Sequence, residues 1–410
     1  MRKKLLALLG VLGPGLFLVG YNIGTGSVTT MAATGAEYGM VLVWPLLLSC
    51  IFTYVLIVAF GRYTAVTGDT ALYSFKTHFG KAAALFVLVS LLFSEFVSSM
   101  GVMAIVVQTV QEWSRPLTAS GEGFNTILLA ALFGALLYAL FLNGRYGFFE
   151  KMLAVFVGLM GLSFLLTMFM VIPDPGEVLQ GLIPRIPQEA NAALLIAGMA
   201  GTTMGGVIYV VRSILVKEKG WGVADLKRER RDALISALVM FLLSLAVMAC
   251  AAGTLHPRGL RVENAIDMVR LLEPLAGRFA ISIFVAGIVC AGLSSLFPIA
   301  ILAPWLLADY ANTERDLRSR QSRLIVLFVI SLGLVVPIFG GRPVLVMIAS
   351  QALITLATPL IILLMLLLQN KKTVMGAYTP SRATNIAMAL IFVFSILMAI
   401  LGIVGLKDLF

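Results

Sequence analysis

The chain has 410 residues, of which 60% are hydrophobic and only 12% are charged, and its formal net charge is +10. A soluble protein of this size needs a larger polar share to cover its surface, so the composition excludes an ordinary soluble enzyme or binding domain. It is typical of an integral membrane protein. We expect a single all-α transmembrane domain over residues 1–410.

Apolar stretches long enough to cross a bilayer recur along the whole chain. A helix needs about 20 mostly apolar residues to span the hydrocarbon core. We expect the first stretch to be retained rather than cleaved as a signal peptide, because no small-residue cleavage site follows it. The criterion predicts eleven transmembrane helices, near residues 10–38, 41–64, 82–110, 124–142, 148–172, 191–215, 233–255, 278–305, 324–339, 343–369 and 385–406.

The basic residues are distributed unevenly between the two sides of the predicted bundle. Most of them fall in the N-terminal segment and in the loops on its side, including the strongly charged loop 216–232. Cytoplasmic segments are enriched in Lys and Arg, so we predict a cytoplasmic N-terminus and an external C-terminus in a bacterial inner membrane. The positive charge therefore orients the protein in the lipid bilayer, and we expect no nucleic-acid partner.

The sequence carries no motif of the common enzyme classes. It has no phosphate-binding loop, nucleotide motif or nucleophile triad, and Cys50, Cys250 and Cys290 all fall inside predicted spans. We therefore expect neither enzyme activity nor a bound cofactor.

Two predicted spans are interrupted by residues that destabilise membrane helices. The first contains Gly24-Thr25-Gly26-Ser27 and the sixth contains Thr202-Thr203-Met204-Gly205-Gly206. A helix break frees backbone polar groups, which hydrocarbon tolerates only where they line a cavity. Paired breaks in two halves of a chain indicate a transporter's substrate site. They predict inverted five-span repeats over about 5–172 and 191–369, with an extra helix at about 385–406.

Several segments carry a resemblance to a known family. They are GPGLFLVGYNIGTG with TGAEYG, NGRYGFFEKMLAVFVGLMG, VLQGLIPRIPQEANAALLIAGMAGTTMGGVIYVV, AGIVCAGLSSLFPIAILAPWLLADY and ASQALITLATPLIILLMLLLQNKKTVMG. In order and spacing the chain resembles the NRAMP divalent-metal transporters over nearly its whole length. The resemblance implies the leucine-transporter type of inverted-repeat fold, with broken helices 1 and 6. It also implies secondary transport of a metal ion by alternating access, coupled to protons.

The resemblance fails at the metal site. The family's Asp-Pro-Gly-Asn falls on Gly24–Ser27 and its Met-Pro-His falls on Met204–Gly206, while Gln351 stands where the family has a glutamine. The metal selectivity implied for this chain is therefore altered. The implied substrate-binding residues are Gly24, Thr25, Gly26, Ser27, Thr203, Met204, Gly205 and Gln351, among which Met204, Gln351 and Ser27 would contact a metal.

Two charged residues are candidates for a proton pathway. Glu95 lies inside the apolar stretch FVLVSLLFSEFVSSMG, where an ionisable group is costly and functional by default. It aligns with an aspartate of the family's proton pathway, although a structural glutamate bonded across helices is the alternative. Arg212, past the second break, either pairs with Glu95, guards the cytoplasmic exit or reaches to the interface.

Three functions remain open from the sequence. Family likeness favours a metal-ion transporter of altered selectivity. The neutral Gly-Thr-Gly-Ser break instead favours a carrier of a small organic solute such as an amino acid, because an uncapped helix N-terminus attracts a carboxylate. The loss of the expected site chemistry allows a third function, that of a membrane receptor or scaffold that transports nothing.

Overall fold

The protein is described by a computed structural model, which covers residues 14–142, 175–188, 191–262 and 273–407, with residue 267 and scattered positions between 155 and 169. All regular structure in these residues is helical. The helices are α1 (Pro14–Asn22), α2 (Thr25–Tyr38), α3 (Val43–Thr67), α4 (Ala71–Phe79), α5 (Lys81–Ser114), α6 (Thr126–Leu142), α7 (Pro175–Gln180), α8 (Ala192–Met204), α9 (Gly206–Glu218), α10 (Leu226–Thr254), α11 (Glu273–Ala311), α12 (Arg320–Leu332), α13 (Val335–Phe339), α14 (Pro343–Asn370), α15 (Lys372–Met375) and α16 (Arg382–Lys407).

The predicted spans correspond closely to these helices. In the described residues, 8 helices are long and apolar enough to cross a membrane, counting α8 with α9 and α12 with α13 as single spans. The first predicted span is divided between α1 and α2, and α6 is shorter than the length criterion. Most of the predicted span 148–172 lies outside the described residues. The all-helical membrane fold is thus confirmed, while the count of eleven spans and the two repeats stay predictions.

Both predicted breaks are present, but they are narrower than expected. Only Ile23 and Gly24 separate α1 from α2, and Gly24 precedes α2 in an extended conformation with no side-chain cap. Only Gly205 separates α8 from α9, with φ −66° and ψ 136°. Thr25, Gly26 and Ser27 form the first turn of α2 instead of a loop.

The broken helices lie at the centre of the bundle. The span formed by α8 and α9 is buried along its whole apolar length, whereas α12 and α16 are largely exposed. Around this centre, α2 packs against α10, α8 packs against α14, and α5 packs against both α11 and α14. Small residues permit such close approach between membrane helices. A β-carbon at Gly201 of α8 would overlap the backbone oxygen of Gln351 on α14.

Candidate functional site

A small cavity lies between the two helix breaks. Its volume is about 30 Å³, which is enough for one water or an ion and far below the several hundred cubic ångströms typical of organic-ligand pockets. α1, α2, α5, α8, α9, α11 and α14 all contribute to its wall. The polar residues on the wall are Tyr21, Asn22, Ser27, Glu95, Ser98, Thr202, Ser295 and Gln351, and both Gly24 and Gly26 expose backbone to it.

Among the described residues on this wall, Glu95 is the single one that bears a carboxyl group. It lies in the middle of α5 and is 1% exposed. Its Oε1 accepts a hydrogen bond from the hydroxyl of Tyr21, in the last turn of α1. Its Oε2 is buried and has no hydrogen-bond partner within the described residues. A buried carboxylate oxygen without a partner is costly, so the geometry leaves a position for a ligand that donates a proton or carries positive charge.

The remaining polar groups on the wall are neutral. Ser98 donates to Ser350 at 3.2 Å, and the Ser27 and Ser244 hydroxyl groups lie 3.2 Å apart. The amide of Gln351 donates to Ser350 at 3.3 Å, which leaves its carbonyl oxygen available as an acceptor. The hydroxyl of Ser295 is buried without a partner in the part of the chain that the structure describes. The polar part of the cavity wall is therefore formed mainly by oxygen-bearing groups and includes one acidic group, while Val, Ile and Met side chains form the rest.

Half of the predicted substrate residues do not reach this cavity. Gly24, Gly26, Ser27 and Gln351 are on its wall, but Thr25, Thr203, Met204 and Gly205 are not. The Thr203 hydroxyl donates to the Met199 backbone, and Met204 is 2% exposed within the hydrophobic core. In the last turn of α8, Thr202 faces the cavity. Met204 lies two residues further along the helix, so its side chain points away from the cavity.

The predicted pairing of Arg212 with Glu95 is wrong. Arg212 is 0% exposed and forms salt bridges with Glu229 at 3.1 Å and Asp232 at 2.5 Å, both on α10. The other carboxylate oxygen of Asp232 accepts a hydrogen bond from the backbone N–H of Gly15 at 3.3 Å. Complete burial also excludes the predicted reach to the interface. The three side chains form a buried charge cluster that joins α9, α10 and the first turn of α1.

Several cavity residues were not singled out by the sequence analysis, and three of them lie close to predicted site residues. Tyr21 and Asn22 are the last residues of α1, and Met347 precedes Gln351 by one helical turn on α14. The signal for all three was present. Two polar side chains stand two and three positions before Gly24, and residues four apart share a helix face.

The donor set limits what the cavity can hold. Among the residues that the structure describes, no group of three or more His, Cys, Asp or Glu side chains is arranged to hold a metal ion. One carboxylate supplemented by hydroxyl, amide and carbonyl oxygens suits a hard cation that keeps part of its water shell, such as Mg²⁺, better than a soft ion that prefers sulfur.

A second cavity lies beyond the far ends of the broken helices. It has a volume of about 300 Å³ and is bounded by α2, α8 and α14. Ile348 contributes to its wall, and the neighbouring Met347 contributes to the central cavity. At its rim Glu37 interacts with Arg261 at 3.6 Å and with Asn191 at 3.3 Å. We call this second cavity the vestibule; it shares the helix α14 with the central cavity.

Solved structures with the same fold are transporters. A crystal structure of a point mutant of the Eremococcus coleocola manganese transporter aligns with a TM-score of 0.78 and 14% identity, covering 96% of this chain and 85% of that chain. The nucleobase-cation-symport transporter Mhp1 in a closed conformation aligns with a TM-score of 0.59 and 18% identity, covering 97% and 90%. The TM-scores establish a shared fold, and at these low sequence identities the likeness extends no further than the fold.

Curated relatives and a family model extend the likeness to the sequence. The divalent metal cation transporter MntH of Chromohalobacter salexigens is 25% identical over 384 residues, covering 89% of this chain and 84% of the relative. The MntH of Verminephrobacter eiseniae is 24% identical, covering 92% and 85%. The match to the MntH of Clostridium acetobutylicum, 26% identical, spans only 51% of that relative. Residues 15–405 match the model of the natural resistance-associated macrophage protein-like family. The chain therefore belongs to the Nramp family.

Proposed function

We propose that the chain is a secondary transporter that moves a metal cation across the membrane by alternating access. The observation that carries the proposal is the small central cavity, which lies between two helix breaks and contains one carboxyl group with an oxygen that has no partner in the described residues. Helix breaks at the bilayer midplane are typical of transporter substrate sites. The relatives are named divalent metal cation transporters, which supports a cation as the cargo.

The proposed cargo is a hard divalent cation. Relative to the family's motif, the carboxylate at Gly24 and the histidine at Gly206 are missing, and Met204 is packed in the core. Glu95, Ser27 and Gln351 remain as oxygen ligands, with the hydroxyl of Ser295 beside them. Such a set favours Mg²⁺ or Mn²⁺ over Cd²⁺. Selectivity in this chain is accordingly shifted toward ions that bind oxygen.

Glu95 is also the proposed proton carrier. A carboxyl group in contact with the cargo can exchange a proton for the cation, and it is the only acidic group on the cavity wall described. Arg212 has no part in this pathway, because Glu229 and Asp232 occupy it. The cation and the proton then compete for the carboxyl group of Glu95.

The remaining expectations complete the proposal. The chain spans a bacterial inner membrane eleven times, with its N-terminus in the cytoplasm, and its two inverted repeats cover about 5–172 and 191–369. In this orientation the first turn of α1 and the Arg212 cluster face the cytoplasm, and the vestibule at Glu37 faces outside.

One observation favours a second function, the carriage of a small organic anion. α2 begins beside the cavity, and Gly24 provides no side chain to cap its first N–H groups. A helix N-terminus of this kind attracts a carboxylate. Against this function, the cavity of about 30 Å³ in this structure has no room for an amino acid.

Isothermal titration calorimetry on the purified protein tests these functions. Mg²⁺, Mn²⁺ and Cd²⁺ are titrated separately, and a panel of amino acids is measured in parallel by thermal shift. We expect binding of Mg²⁺ and Mn²⁺, with Cd²⁺ the weakest of the three. Amino-acid binding alone would establish the second function. If neither the cations nor the amino acids bind, cation transport is refuted and the receptor or scaffold remains as the interpretation.

A further inference from the structure

The half-helix α1 is attached to its neighbours through a carboxylate at each end. In its first turn the N–H of Gly15 donates to Asp232 on α10 at 3.3 Å. In its last turn the hydroxyl of Tyr21 donates to Glu95 on α5. These two contacts differ in one respect, since Asp232 is neutralised by Arg212, whereas Glu95 has no cationic partner on the cavity wall described.

A flexible joint follows the contact at Tyr21. α1 ends at Asn22, and only Ile23 and Gly24 connect it to α2. Two non-helical residues of this kind can absorb the dihedral changes of a hinge. Motion of α1 about this joint would uncover the side of the cavity that is formed by α9, because α1 packs against α9.

The Tyr21 hydrogen bond competes with cargo for Glu95. One carboxylate oxygen of Glu95 is taken by Tyr21 and the other has no partner in the described structure. A bound cation draws electron density from the carboxylate and, when it uses both oxygens, displaces the phenol. Either effect weakens the Tyr21 contact, because a hydrogen bond is strongest when its acceptor is a free anion.

We propose that Tyr21 is a positioning residue that couples occupancy of the cavity to the position of α1. With the cavity empty, the bond from Tyr21 to Glu95 holds α1 against α5 and keeps the cytoplasmic side closed. When Glu95 binds a cation, this bond is lost and α1 is released at the Ile23–Gly24 joint. The inference rests on the proposed function only in taking a cation as the occupant.

A cysteine behind α1 reports this movement. Val207 of α9 lies on the cavity wall and is 1% exposed. In a background where Cys50, Cys250 and Cys290 are replaced by Ala, Val207→Cys is labelled from the cytoplasmic face of membrane vesicles with a thiol reagent. The labelling rate is measured with and without Mg²⁺, and with and without Tyr21→Phe.

We expect Mg²⁺ to accelerate labelling in the parent chain. Without Mg²⁺, Tyr21→Phe should label about tenfold faster than the parent, since a hydrogen bond to a charged group is lost, and Mg²⁺ should add little. Equal cation-free rates with and without Tyr21→Phe would overturn the proposal. This arm needs no cargo, so its outcome is separate from the calorimetric test of cation binding.

Two further variants guard against a general loss of structure. Tyr209→Phe removes a comparable buried hydroxyl, bonded to Thr53 at 3.0 Å and away from the cavity, and should leave both rates unchanged. Glu95→Gln retains an oxygen that accepts from Tyr21 but carries no charge, so its cation-free labelling rate should lie between those of the parent and Tyr21→Phe, and Mg²⁺ should not change it. Acceleration of Glu95→Gln by Mg²⁺ to the parent's extent would contradict the coupling.

Discussion

Two of the regions in which the protein buries carboxyl groups compensate them in opposite ways. In the Arg212 cluster, Glu229 and Asp232 are salt-bridged to one fully buried guanidinium, and Gly15 donates a further hydrogen bond. In the central cavity, Glu95 is equally buried but contacts only neutral groups, and one of its oxygens has no partner in the described structure. In the first region the charges of the protein compensate one another, although Arg212 Nε has no hydrogen-bond partner in the described residues. In the second region, no cationic group on the described cavity wall compensates Glu95.

The comparison refines how an ionisable residue in a membrane helix is interpreted. Such residues are functional by default because burying a charge in hydrocarbon is costly. That rule selected Glu95 from the sequence, whereas Arg212 was selected as a cation that lies past the second break. The contacts then distinguish the two residues. The free-energy cost of burying the charge of Arg212 is offset by protein carboxylates, whereas at Glu95 it can be offset only by a bound cation or proton. Compensation within the protein therefore distinguishes a structural charge from a binding group.

The largest effect is expected from breaking the compensated region. Arg212→Met leaves two buried carboxylates without a partner and should lower the free energy of unfolding by about 3–5 kcal/mol. Thermal unfolding in detergent measures the loss. The control is Arg230→Met, an exposed residue at the start of the same helix as the two carboxylates, which should change stability by less than about 0.5 kcal/mol. Equal melting temperatures for both variants would show that the cluster does not stabilise the bundle.

Removing the uncompensated carboxylate should affect binding instead of stability. Glu95→Gln is expected to weaken Mg²⁺ binding about 30-fold or more, as when one partner of a buried charge pair is lost. Its melting temperature should stay near that of the parent, because the amide retains the Tyr21 hydrogen bond. Glu37→Gln, at the vestibule rim, is the matched control and should bind normally. Unchanged affinity in Glu95→Gln would exclude Glu95 as a cation ligand.

The same carboxyl makes cation binding depend on pH. Protons and Mg²⁺ compete for Glu95, so the apparent Kd for Mg²⁺ should rise as pH falls, and the dependence should vanish in Glu95→Gln. Calorimetry at a series of pH values, with the heat of buffer ionisation varied, also measures the protons released. Tighter binding at acidic pH would contradict the exchange.

Restoring an acid at the first break should have an intermediate effect. A β-carbon at Gly24 would overlap the side chain of Ser295, so Gly24→Asp alone should cost about 1–3 kcal/mol of stability. The double variant Gly24→Asp/Ser295→Gly removes the overlap and should bind Mn²⁺ more tightly than Ser295→Gly. If its affinity does not rise, Gly24 does not face the cation site.

The smallest effect is expected at Met204. Met204→Leu exchanges side chains of similar size in the core, so it should cost less than about 1.5 kcal/mol. It should also leave the ratio of Cd²⁺ to Mg²⁺ affinity unchanged, as measured by competition in the calorimeter. Met347→Leu, on the cavity wall, is the comparison. A tenfold change in this affinity ratio for Met204→Leu would show that the Met204 thioether contacts the bound cation.

The broad features of the protein follow from local properties of the sequence. Apolar run lengths predicted the positions of the helices, because the bilayer requires about 20 apolar residues per span. Two glycine-containing interruptions located the cavity, because only a cavity tolerates exposed backbone at that depth. Family likeness in ordered segments predicted Nramp membership, which the match over residues 15–405 confirms.

The tertiary structure decided which side chains meet. The sequence shows that Met204 adjoins a break and that Arg212 lies beyond it, but not which way either side chain points. Helix rotation directs Met204 into the core, and the packing of α9 on α10 gives Arg212 its carboxylates. Tyr21 reaches Glu95 across 74 positions of chain. Such contacts depend on how helices far apart in sequence are rotated and packed, which local periodicity does not determine.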